Sequence, residues 1–178
     1  MKIKRKERSR FLIPDGLLES IYDVTPELLA QLDIKGLVCD IDNTLVPYNV
    51  ATPCEKLKAH LRSFEQHGIE VAFVSNNKRQ RVKKFNRRLR FFAVWDSGKP
   101  FGGGIGRCIR HMGHDKENIL LVGDQIYTDC LGAHISGVRC FIVPPIEPKE
   151  NFFFKLKRFL EKPILYLYRR ANDTQETE

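Results

Sequence analysis

Apolar residues in this chain come in short uninterrupted runs, separated by polar or amphipathic stretches. The runs GLVCDI (36–41), IEVAFVS (69–75), FFAVW (91–95), NILLVG (118–123) and VRCFIVP (138–144) have strand length and are rich in Val, Ile and Phe. Because they are continuous rather than alternating, they predict strands buried on both faces. Helix patterns lie between them. In ATPCEKL, Thr52 suits the N-cap, Pro53 the first helical position and Glu55 a capping box, with Gly68 as the stop. Val82, Phe85 and Leu89 form one apolar stripe, which puts the charged residues of that segment on the other face of a helix. Further helices are expected from Gly103 to His111 and from Thr128 to Ser136, the latter ended by Gly137. Strand and helix alternate throughout. The expected fold is therefore α/β, a three-layer, doubly wound parallel sheet of Rossmannoid type.

Composition narrows the picture. At 178 residues, 42% hydrophobic and 29% charged, the chain fits one domain with a real core and an appendage. Five cysteines without a CxxC pair read as reduced thiols, and the five histidines complete no zinc spacing. No apolar run is long enough to span a membrane, and FLIP after the basic start MKIKRKERSR is too short for a signal peptide. The net charge of +8 gathers at that start, in KRQRVKKFNRRLR (78–90) and between Lys149 and Arg170. Such basic surfaces call for anionic partners: nucleic acid, anionic lipid or a phosphorylated substrate.

The candidate chemistry sits where the predicted strands end. Asp40, Asp42 and Thr44 alternate at the exit of the first run, which in extended backbone puts two carboxylates and a hydroxyl on one side. Two ionised carboxylates in one small space favour a divalent cation, although an aspartate pair can also cap a following helix. Ser75 and Asn76 follow the second run, Lys99 the third, and Asp124 and Asp129 the fourth. Singly these read as a turn residue, a surface lysine and a helix cap. Together they occupy the edge of an open parallel sheet where ligands bind. Oxygen-ligated magnesium and a lysine at one edge can neutralise a phosphate while a carboxylate attacks it.

The segments DIDNT, SNN, GKP and GDQIYTD, in this order and spacing, resemble the four motifs of the haloacid dehalogenase-like phosphatases. With FLIPD, DVTPELL, DNTLV and ATP, the chain most resembles the bacterial YqeG-type group of subclass IIIA, which is similar to the organellar phosphatidylglycerophosphate phosphatases. The resemblance implies that Asp40 is a nucleophile forming an aspartyl-phosphate and that Asp42 is the acid and then the base. It also implies that Thr44 supports the loop, that Ser75 and Asn76 meet the phosphate, and that Lys99 neutralises charge. Mg2+ would be held by Asp40, the backbone carbonyl of Asp42, and Asp124, with Asp129 in support. WDSGKP departs from the usual residues before the motif lysine and leaves the loop around Ser97 and Gly98 undetermined.

About thirty residues between the first two motifs leave room for one helix, so no cap domain is expected and the site should be open. An open site suits a phosphate presented on a membrane, a protein or a nucleic acid. In the carboxyl-terminal segment Phe153, Leu156, Leu160, Ile164 and Leu167 recur at helical spacing among basic residues. That pattern predicts a helix in the interface of an anionic membrane, with packing on the sheet as the alternative. The expected division is a basic arm and helix (1–35), a catalytic core (36–146), a basic amphipathic helix (147–170) and a disordered tail (171–178). The expected activity is hydrolysis of a phosphorylated lipid, phosphatidylglycerophosphate, at the cytoplasmic membrane face. Arg81, Lys84 and Arg88 would meet its headgroups. Alternatives are an RNA- or ribosome-associated protein on the same fold, disfavoured by the lack of stacking aromatics on an exposed sheet, and a phosphatase of proteins or nucleic-acid ends.

Overall fold

The computed structural model describes residues 11–147 together with Pro163, Ile164, Tyr166 and Tyr168. Six parallel strands form its sheet: β1 (Gly16–Leu17), β2 (Gly36–Cys39), β3 (Glu70–Val74), β4 (Phe92–Val94), β5 (Ile119–Gly123) and β6 (Arg139–Ile142). Their spatial order is β1-β6-β5-β2-β3-β4. The helices are α1 (Pro26–Gln31), α2 (Glu55–Gln66), α3 (Arg79–Asn86), α4 (Gly104–Met112) and α5 (Leu131–Ser136).

Successive strand residues face opposite sides, and the two sides have separate cores. Leu37, Cys39, Val71, Phe73, Leu120 and Val122 join Leu29 of α1, Leu57, Leu61 and Phe64 of α2, and Val82 and Phe85 of α3. Val38, Ala72, Val74, Ile119 and Leu121 join Ile105, Cys108, Ile109 and Met112 of α4 and Ala133 of α5. The fold is thus the expected three-layer α/β sandwich. Each fully buried Leu or Phe contributes about 1.5–3 kcal/mol of transfer free energy.

The two-sided layering positions the site. From β2 the chain winds through β3 to β4 with α2 and α3 on one face, then returns to β5 and β6 with α4 and α5 on the other. The direction reverses between β2 and β5, and ligands bind beyond the strand ends at such a switch point.

Some local expectations differ from the structure. Helix α2 is capped by Cys54, without a side-chain bond, rather than by Thr52. Pro53 is buried ahead of the helix, the first helical bond is Lys58 N to Cys54 O at 3.0 Å, and Glu55 pairs with Lys58 at 2.6 Å instead of closing a capping box. The helix expected from Thr128 is split, with a π-helical turn at Ile126–Cys130 preceding α5. Residues 1–10, most of the expected amphipathic helix and the 171–178 tail lie outside the described residues. The exceptions in that helix are Pro163, Ile164, Tyr166 and Tyr168, which are helical, and Ile164 packs against the core on the α4–α5 side.

Candidate active site

Asp40 extends the ladder of β2 by one bond, its N–H donating to Val122 O at 2.9 Å. The chain then leaves extended geometry. Leu45 N and Val46 N both donate to Ile41 O, at 3.0 and 3.2 Å, and Asn43 takes a left-handed conformation (φ 71°), which asparagine tolerates better than most residues. A tight turn therefore replaces the extended alternation expected for residues 40–44, and it separates the two carboxylates. The turn brings Thr44 Oγ1 to 3.2 Å from Asp40 Oδ2 and 3.4 Å from Asp124 Oδ1, while the Asp42 carboxylate goes another way.

Two clusters result. In the first, the Lys99 ammonium donates to Asp40 Oδ1 at 2.6 Å, Asp129 Oδ1 at 2.7 Å and Val74 O at 3.1 Å. Asp40, Asp124 and Asp129 bring one carboxylate oxygen each to within 4.8 Å of one another, all buried. Three hard oxygens at that spacing, beside a hydroxyl, suit a small divalent cation. Burial pushes the Asp40 carboxyl up to about 6 against the opposing pull of Lys99. Burial also works against the charge on Lys99, but Asp129 and Asp40 more than offset it and raise its pKa. Gly123 makes room for this arrangement: a Cβ there would collide with the Asp129 side chain.

In the second cluster Asp42 accepts three hydrogen bonds and faces a further guanidinium nitrogen in an ion pair. Ser75 Oγ and Asn77 Nδ2 approach Oδ2 at 3.2 and 3.3 Å, while Arg81 Nε and Nη2 approach Oδ1 at 3.1 and 2.9 Å. Arg81 Nη1 also donates to Ala51 O at 3.2 Å. Arg81 was expected on the exposed face of the basic helix; it turns inward beside the apolar stripe instead. Asn76 lies beside these residues and organises the lysine loop: its Oδ1 accepts from Ser97 Oγ and Lys99 N, both at 2.7 Å. That resolves the loop the sequence left undetermined, where Gly104 lets the backbone close on Ser97. A cleft of about 170 Å³ opens over both clusters, lined also by Tyr48, Asn77, Gln125 and Thr128, which sequence reasoning had not picked out. All the expected site residues, Asp40, Asp42, Thr44, Ser75, Asn76, Lys99, Asp124 and Asp129, lie in or beside it. No inserted domain stands between β2 and α2 or between β3 and β4.

Comparison with known proteins fits this geometry. A family model described as HAD-hydrolase-like matches residues 97–144. The chain is 33% identical over 169 residues to the "probable phosphatase YqeG" of Bacillus subtilis, covering 95% of this chain and 98% of that protein. It belongs to the YqeG-type group of haloacid dehalogenase-like phosphatases. This phosphatase is also 23% identical over 166 residues to the Arabidopsis thaliana phosphatidylglycerophosphate phosphatase 1, chloroplastic/mitochondrial, spanning 88% of this chain but 48% of that protein. Its fold is shared by a cobalt-bound deoxy-D-mannose-octulosonate 8-phosphate phosphatase of Haemophilus influenzae, at a TM-score of 0.51 and 16% identity, covering 70% of this chain and 75% of that one. Among the described residues, no helix is long and apolar enough to cross a membrane.

Proposed function

We propose that this phosphatase is a magnesium-dependent phosphomonoesterase that takes phosphatidylglycerophosphate to phosphatidylglycerol at an anionic membrane surface. The observation that carries the chemistry is Asp40, a buried carboxylate fixed between Lys99 and Thr44 at the floor of an open cleft. In the first step the Asp40 carboxylate attacks phosphorus, the ester P–O bond breaks, and Asp42 delivers a proton to the leaving oxygen. In the second, Asp42 takes a proton from water as that water attacks the aspartyl-phosphate, and inorganic phosphate leaves. A carboxylate nucleophile thus divides one difficult hydrolysis into two easier steps. Lys99 balances the charge of Asp40 and of the incoming phosphate, and Asn76 holds the lysine loop. Asp40, Asp124 and Asp129 would hold Mg2+, with the Asp42 carbonyl as a further ligand. When bound, the ion supplies charge neutralisation at the phosphate oxygens.

Support for the lipid comes from the named activity of the Arabidopsis relative, the absence of an inserted cap between the motif strands, and the basic helix α3 beginning three residues after Asn76. The test is a panel of phosphomonoesters. Phosphatidylglycerophosphate in mixed micelles should be hydrolysed with a kcat/KM at least about tenfold above that for glycerol 3-phosphate, about 1.4 kcal/mol in transition-state binding. Equal efficiency, or a preference for RNA ends or a phosphoprotein, rejects the lipid. Asp40→Asn should leave less than about a hundredth of wild-type turnover on every substrate, and EDTA should abolish wild-type activity; survival of either activity rejects the corresponding role.

A further inference from the structure

Among the described residues, four of the seven large apolar side chains left exposed collect at one edge. Tyr48 and Val50 lie on the segment between β2 and α2, Phe101 between β4 and α4, and Ile146 beyond β6; Phe101 is 78% exposed. In a parallel sheet all three segments leave the carboxyl ends of their strands, which is the edge that holds the cleft. Scattered exposed apolar residues need no explanation, but apolar residues gathered around a site do. From β6 to β4 the sheet order counts four strand spacings, so these side chains flank the cleft across about 19 Å. The rim is held in shape: Ile146 N donates to Asn43 O at 3.0 Å, and Asn43 Nδ2 donates to Glu147 O at 2.8 Å.

The charge of this edge says what it meets. Helix α3 starts there and carries exposed Arg79, Lys83 and Lys84, with exposed Arg87 and Arg88 just past its end and no acid among them. Lys84 sits about 8 Å down the helix, so the first three of these act within about one Debye length of the edge. Two nearby acids, Glu55 and Asp96, are each paired with a lysine, at 2.6 and 2.8 Å. Exposed Glu147 adjoins Ile146, but the basic residues of this edge outnumber it, and apolar tips backed by that excess of positive charge match an anionic bilayer, where apolar groups enter the headgroup region and each basic residue adds attraction.

We propose that the phosphatase docks on anionic membranes through this rim, with Val50, Phe101 and Ile146 entering the interface and the cleft facing the lipid headgroups. The proposal rests on the lipid reading above and deepens it. It moves the membrane contact from the carboxyl-terminal helix to the catalytic edge itself, so that a lipid phosphomonoester reaches Asp40 without leaving the bilayer.

The experiment compares the full-length wild type with the triple variant Val50→Ser, Phe101→Ser, Ile146→Ser, and with charge reversal at Lys155, Lys157 and Arg158. Vesicles of phosphatidylcholine with phosphatidylglycerol at 30 mol % serve as the probe, at roughly physiological salt. The triple variant should bind them at least tenfold more weakly and lose at least tenfold in kcat/KM on phosphatidylglycerophosphate in the same vesicles. Its turnover of p-nitrophenyl phosphate should stay within twofold, which shows that it is folded. Separately, Trp emission of Phe101→Trp should shift to the blue on adding vesicles and be quenched by brominated lipid. Wild-type affinity in the triple variant, with binding lost on charge reversal in the tail, would overturn the rim and return the contact to the carboxyl-terminal helix. No binding of the wild type to vesicles would also overturn it. If the rim variant alone loses binding while soluble phosphates remain the better substrates, docking stands and the lipid substrate falls.

Discussion

Arg81 lays its guanidinium against Asp42 and against the Ala51 carbonyl, so one side chain fixes both the carboxylate and the segment that passes over it. Its Nη2 is buried 2.9 Å from Asp42 Oδ1 but makes no hydrogen bond. A planar two-point contact of this kind sets direction as well as distance, and lysine does not reproduce it. Arg81→Gln should therefore cost an alkyl phosphate at least about tenfold more in kcat than p-nitrophenyl phosphate, whose leaving group departs without a proton. An equal loss on both substrates would show that Arg81 only supports the fold. The eight basic residues from 78 to 90 were legible in the sequence as a charged helix. That one of them points inward was not, because residue 81 adjoins the Val82–Phe85 stripe and periodicity assigns a face only to within about a residue. Asp40 and Asp124 were easier to find, because each follows directly on a continuous apolar run, and Lys99 was found only by its place in the loop after the third run.

At the scale of elements, one imidazole ties down both ends of the segment before β1. His134 of α5 holds Phe11 O at 2.8 Å with Nδ1 and Asp15 Oδ2 at 2.9 Å with Nε2, and the same carboxylate oxygen accepts from Cys140 N at 2.8 Å. Two acceptors ask for two ring protons. Burial opposes that charge, but the bond to Asp15 and the neighbouring Cys130 outweigh it, and the His134 pKa is pushed up to about 10. A folded-state value above the unfolded one contributes stability fully below the unfolded pKa of about 6.5, and that stability is lost as pH rises to about 10. Chemical denaturation of wild type and His134→Gln should therefore differ most near pH 6 and converge towards pH 10. A difference independent of pH would show that packing alone holds the segment. Strands β2 to β6 were readable because burial on both faces writes a continuous apolar run. Strand β1 was not, since two residues have no period, and FLIPD works through a backbone carbonyl and a carboxylate rather than through hydrophobic pattern. The N-cap of α2 was misplaced for a similar reason: Thr52 and Pro53 carry the right chemistry two residues too early, and the burial of Pro53 sets the start.

For the whole molecule, the order β1-β6-β5-β2-β3-β4 ranks its parts by when they can form. Pairs β2–β3 and β3–β4 join neighbours in the chain, whereas Gly16 must find Phe141. Contacts across so long a separation close large loops and form late as a rule. A change in the last-formed pairing acts on unfolding rather than folding. Asp15→Asn should thus raise the unfolding rate severalfold while leaving the refolding rate within about twofold, as read from the two arms of a denaturant chevron. A matching fall in the refolding rate would put this edge in the folding nucleus instead. During synthesis the same pairing has a further effect. Among the described residues, the first strand to leave the ribosome is the one that must wait longest, because its one partner there, β6, emerges more than a hundred residues later. Until then β5 too lacks its outer neighbour, and the site, whose Asp124 and Asp129 follow β5, is complete in sequence before the edge that closes its sheet exists.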